Sequence, residues 1–158
     1  MTLNQNSTHQ DVVILWEEKN IKNLENDLAI QVFGNAIHCI ERRCLITLSS
    51  VTLQVVLDRI IHQGIEKFPI LVEITLEKEG INFTKIIQKK DHYKIGEIQD
   101  AFRYLLIEIL TVIGNLTSDV LTTPLHKELM EVTSESALKV HAVQSLRTIN
   151  TVKKRGGK

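Results

Sequence analysis

The chain has 158 residues and a mass of 18.0 kDa, with 43% hydrophobic and 24% charged residues, enough for one domain with a substantial core. Nineteen Lys and Arg balance nineteen Asp and Glu, and aromatic residues make up only 4%; the balance removes the bulk attraction to nucleic acid or an anionic membrane, and the scarcity of rings weakens any base-stacking platform. Two cysteines build no disulfide framework and fit a reducing compartment.

Residues 1–10 (MTLNQNSTHQ) are polar, without the basic and apolar regions of a secretory signal, and read as a disordered leader. A cytoplasmic location is expected, so the sequons at Asn6, Asn82 and Asn115 carry no weight. A single domain is expected over 11–152. Val12–Trp16 (VVILW) is rich in β-branched residues and predicts a short strand. Ile21–Cys44 predicts a long amphipathic helix. Leu24, Leu28, Val32 and Ala36 form one i+4 row, and Phe33, Ile37, Ile40 and Cys44 form its neighbour.

Ser49 and Ser50 can cap a second helix over 51–63, whose stripe is Leu53, Val56, Leu57, Ile60 and Ile61. Gly64 followed by Ile65 has the form of a Schellman ending. Residues 69–78 (PILVEITLEK) alternate, with Val72, Ile74 and Leu76 on one face. Glu79-Gly80 supplies a turn, and 81–88 (INFTKIIQ) returns as the partner strand, so a hairpin is expected at about 70–88.

Glu97–Ile113 is apolar nearly all round and predicts the central helix; its most apolar run, Tyr104–Ile113, is too short to span a bilayer and contains Glu108. Thr123-Pro124 opens a short helix to about Val132, and Ser134–Thr151 forms the last helix. Residues 153–158 read as a flexible basic tail. The expected fold is α+β: a helix-rich single domain, about half helical, with a small antiparallel sheet. Residues 1–79 carry a net charge of −4 and residues 80–158 a net of +4, an asymmetry that fits two halves packing as one domain.

Chemistry is sparse. The glycines form neither GxGxxG nor GxxxxGK[ST], so no loop is expected to cradle phosphates, and no cofactor is expected. His38, Cys39 and Cys44 are the only local ligand cluster, and Cys39 and Cys44 are five apart, off a common helix face. His38 and Glu41 are i,i+3 and could share one ion, but no second ligand pair completes a metal site. Asp58 and His62 are i,i+4 without a nucleophile elbow, so no catalytic residue is assigned.

By elimination the sequence favours a non-enzymatic regulatory or protein-interaction module in intracellular signalling, acting through apolar helix surface as a homodimer or partner-binding domain. The candidate interface is Leu24, Leu28, Phe33, Ile37, Ile40, Tyr104 and Glu108, because those helices offer more apolar surface than one hairpin covers. Glu108 is either an edge residue, a partner of Arg103, or a polar specificity device in that interface. One alternative is a histidine phosphotransfer domain. Its phosphoacceptor candidates are His126, at a helix start, and His141. The other is a small nucleic-acid-binding regulator using Lys153, Lys154, Arg155 and Lys158. A membrane partner is not expected, and no small-molecule ligand can be inferred.

Overall fold

A computed structural model describes residues 5–135. The expected tail and the candidate His141 lie outside the described residues. Among the described residues there are six α-helices and one short hairpin: α1 (Gln5–Asn20), α2 (Asn26–Thr47), α3 (Ser50–Gly64), α4 (Thr84–Gln88), α5 (Ile95–Leu116) and α6 (Thr122–Glu131). The hairpin is β1 (Thr75–Glu77) and β2 (Gly80–Asn82), antiparallel, with Thr75 opposite Asn82, Leu76 opposite Ile81 and Glu77 opposite Gly80. The fold is a helix-rich α+β domain, more helical than the half expected.

α5 is the axis. Ile98, Ala101, Phe102, Leu105, Leu106, Ile109, Leu110 and Ile113 are all buried, and their three-and-four spacing makes one wide apolar face of α5 the floor of the core. α1, α2, α3 and α6 pack around it. The aromatic centre is a chain of rings. Trp16 meets Phe33 edge-on at 5.5 Å, Phe33 stacks on Phe102 at 5.2 Å, and Phe83 meets Phe102 at 5.2 Å. Such pairs add to the burial of their area.

The strand expected at Val12–Trp16 is instead the middle of α1, and Gln5–Gln10, expected in the leader, form its first turns. The buried stripe of α1 runs His9, Val13, Trp16 and Glu17. That spacing is helical, but two of the four are polar, so the apolar pattern alone is silent there. Each polar member is satisfied by another element. His9 Nδ1 lies 2.8 Å from His126 Nε2. Glu17 takes a two-pronged contact from Arg103, Nε to Oε2 at 2.6 Å and Nη2 to Oε1 at 2.9 Å. Trp16 Nε1 donates to the Val132 carbonyl at 2.7 Å. α1 is therefore fastened to α5 and to the end of α6 by polar bonds as well as by packing.

The hairpin is shorter than 70–88. Pro69 presets the backbone for a 3-10 turn over Pro69–Glu73, where side chains step by about 120°. Ile70 and Leu71 then face the core, while Val72 is exposed rather than sharing a face with Ile74. On the return side, Asn82 Oδ1 accepts from Thr84 N at 2.8 Å, turning the chain out of the strand just before α4, which buries Ile86 and leaves Ile87 exposed. A helical period wins over alternation after position 83.

Ser49 caps α3 as expected: its hydroxyl accepts from Thr52 N at 3.1 Å. Gly64 differs from expectation. It is the last residue of α3, among the described residues only Gly80 is a glycine with positive φ, and Ile65 continues in right-handed geometry. Its glycine is required by packing. A Cβ there would sit 2.4 Å from Tyr104 Cε1 and 2.6 Å from Leu71 Cδ1. No described helix is long and apolar enough to cross a membrane.

Candidate functional site

The rows read as an interface face lie mostly inside the chain's own core. Phe33, Ile37 and Ile40 are at most 1% exposed, and Leu24 and Leu28 are half-buried. The correction has a simple cause: α5, α6 and the hairpin cover α2 together, which the periodicity of one helix cannot reveal. Tyr104 is half-buried, its hydroxyl donating to the Ile60 carbonyl at 3.2 Å and its ring 5.3 Å from Phe68. Glu108 is half-buried at the edge of α5. Arg103 pairs with Glu17 and Asp100 instead. Burial, helped by the Glu108 charge, raises the Tyr104 phenol above its ordinary range.

The phosphoacceptor candidate His126 is engaged. Its Nε2 shares a hydrogen bond with His9 Nδ1, with the rings edge-to-face at 5.0 Å. Burial lowers both imidazoles below their ordinary value. The Asp119 carboxylate partly counteracts this at His9, and His9 reinforces it at His126. The pair holds the start of α1 against α6, a structural clasp that occupies one of the two nitrogens a phosphoryl group could use. Asp58 and His62 both stay exposed on the outside of α3.

Cys39 and Cys44 of α2 sit in different surroundings. Cys44 is fully buried, and its thiol is pushed up to about 11 by burial and by the nearby Glu41 charge. Cys39 is half-buried, with Arg42 Nη2 3.1 Å from its sulfur. Among the described residues no three His, Cys, Asp or Glu side chains converge closely enough to hold a metal ion.

Two features missed by the sequence reading remain. One is a run of apolar side chains left in solvent where α2 ends and α3 begins: Leu45, Ile46, Val51 and Val55. The last two lie i,i+4 on the outer face of α3. The other is a cleft of about 590 Å³ between α2, the hairpin turn and the end of α6, with Glu41 in its wall. Exposed hydrophobic residues at a helix end resemble ordinary core residues in a sequence, so only their burial identifies them. No family model, curated protein or solved structure matches this chain.

Proposed function

We propose that this chain is a non-enzymatic protein-interaction module, cytoplasmic and regulatory in role, and that it self-associates through the α2–α3 corner. One observation carries the reading: Ile46, Val51 and Val55 are 73%, 68% and 63% exposed, with Leu45 beside them at 45%. Adjacent large apolar side chains held in water are the usual mark of a binding surface, and two-fold pairing of one patch on itself is the commonest assembly. The proposed face thus moves from the buried rows of α2 to its C-terminal end and the outer side of α3.

Light scattering across a micromolar concentration series tests this. The expected result is a mass rising from 18.0 kDa toward twice that value. Val51→Asp with Val55→Asp is expected to hold the chain at monomer mass with its melting temperature little changed, because both side chains are already in solvent. A wild-type mass of one chain at every concentration refutes self-association.

A further inference from the structure

The chain divides sharply in charge at the end of its described residues. Residues 1–135 hold all nineteen Asp and Glu but only thirteen of the nineteen Lys and Arg, a net charge of −6. Residues 136–158 hold the other six cations, Lys139, Arg147, Lys153, Lys154, Arg155 and Lys158, and no acidic residue. The same segment carries Leu138, Ala142, Leu146 and Ile149 at spacings of four, four and three. Its complement is a surface that joins accessible carboxylates to exposed apolar side chain.

The cleft of about 590 Å³ between α2, the hairpin turn and the end of α6 has that make-up. On its rim Glu79 and Glu131 are exposed and Glu128 is half-buried, while Leu45 is 45% exposed in the α2 wall. Arg42 is the only Lys or Arg among the described wall residues, and its Nη2 lies 3.1 Å from the Cys39 sulfur. An acidic rim alone selects no ligand; the course of the chain does. Val132 is itself a wall residue, and two positions on, Ser134 N donates to Asn20 Oδ1 at 3.1 Å. The basic segment therefore starts beside the cleft. The α2 wall from Asn35 to Leu45 is about 15 Å long at the helical rise. Even at that contracted rise, the stretch from Val132 to Arg147 covers about 22 Å. A segment tethered so closely meets its site at an effective concentration of about millimolar. Ion pairs that are individually weak then act together with the burial of Leu45.

We propose that residues 136–158 dock in the α2–α6 cleft of their own chain, with Lys139 and Arg147 against the Glu79, Glu128 and Glu131 rim and the apolar row against Leu45. The proposal does not rest on self-association, which centres on Ile46, Val51 and Val55.

Paramagnetic relaxation in NMR spectra of the full chain tests it. A nitroxide is placed on Ser145→Cys, with Cys39→Ser leaving the fully buried Cys44 as the only other thiol. The expected result is broadening of the Arg42, Leu45 and Glu79 amides. Glu128→Lys with Glu131→Lys should abolish that broadening, and adding Lys139→Glu with Arg147→Glu should restore it. Glu79→Lys, on the exposed turn, gives the same loss should the α6 pair not fold. Mixing nitroxide-bearing protein with isotope-labelled, nitroxide-free protein should broaden none of the three signals, because the contact lies within one chain. The proposal is overturned if the cleft signals stay sharp, if their broadening survives charge reversal in folded variants, if the compensating pair fails to restore it, or if it passes to nitroxide-free molecules.

Discussion

Replacing Gly64 by Ala separates two explanations of one glycine. If position 64 merely ended a helix in the left-handed region, the cost would come from backbone strain and no neighbouring side chain would alter it. The structure gives a different account, in which the added methyl has no room. It would meet the Tyr104 ring at 2.4 Å and the Leu71 methyl at 2.6 Å. Tyr104 cannot simply swing aside, since its hydroxyl is bonded to the Ile60 carbonyl and its ring lies against Phe68. Overpacking of this kind costs about 1–3 kcal/mol. Alanine recovers part of that through helix propensity, at most about 1 kcal/mol and less at a helix end. The expected net loss is about 1–2 kcal/mol, or roughly 2–4 °C in melting temperature per kcal/mol for a domain of this size. Urea unfolding followed by circular dichroism measures it. The decisive step is a double-mutant cycle with Leu71→Ala, which empties the space beside the ring. Alone, that change should cost about 2–5 kcal/mol. Combined, the two should show a favourable coupling of about 1 kcal/mol. A neutral or stabilising Gly64→Ala, or strict additivity with Leu71→Ala, would refute the steric account.

The His9–His126 clasp predicts a stability that depends on pH. Burial holds both imidazoles below their ordinary 6.5, so near and below that pH the unfolded chain binds more protons than the folded one. Stability should therefore be complete above about pH 6.5 and fall as the pH drops toward the lowered folded values. His9→Phe should flatten that slope between pH 7 and 5 in thermal melts, and an unchanged slope would refute the assignment. The two thiols should differ in reactivity. Native protein at mildly alkaline pH should be alkylated at half-buried Cys39, whereas Cys44, buried and raised to about 11, should react only after unfolding. Mass spectrometry after iodoacetamide treatment distinguishes the two, and rapid native labelling of Cys44 would contradict its burial.

The elements that one-dimensional pattern identifies here are those whose buried stripe is apolar. α3 follows directly from its 3.6-residue periodicity, α5 from its dense apolar content, the Ser49 cap from residue type, and the turn at Gly80 from its glycine between alternating runs. α1 escaped because His9 and Glu17 occupy half of its buried stripe, and a polar residue reads as solvent-facing unless its partner is known. Those partners, His126 and Arg103, lie 117 and 86 positions away. Pro69 and Asn82 carried local signals, a preset φ and a side chain that turns the backbone two residues on, that shorten the hairpin against its alternating pattern. Periodicity also fixes which face of α2 is apolar without saying what covers it. Coverage depends on how α5, α6 and the hairpin meet, so the sequence could not say that the row holding Phe33, Ile37 and Ile40 is covered by the chain's own elements. The same holds for the cleft. His38 and Glu41 are visibly one helical turn apart, but the burial of Glu41 and its single satisfied oxygen arise only when Gly80 and Ile81 close against α2. Local spacing is written along the chain, whereas desolvation is set by residues that meet only in the folded state.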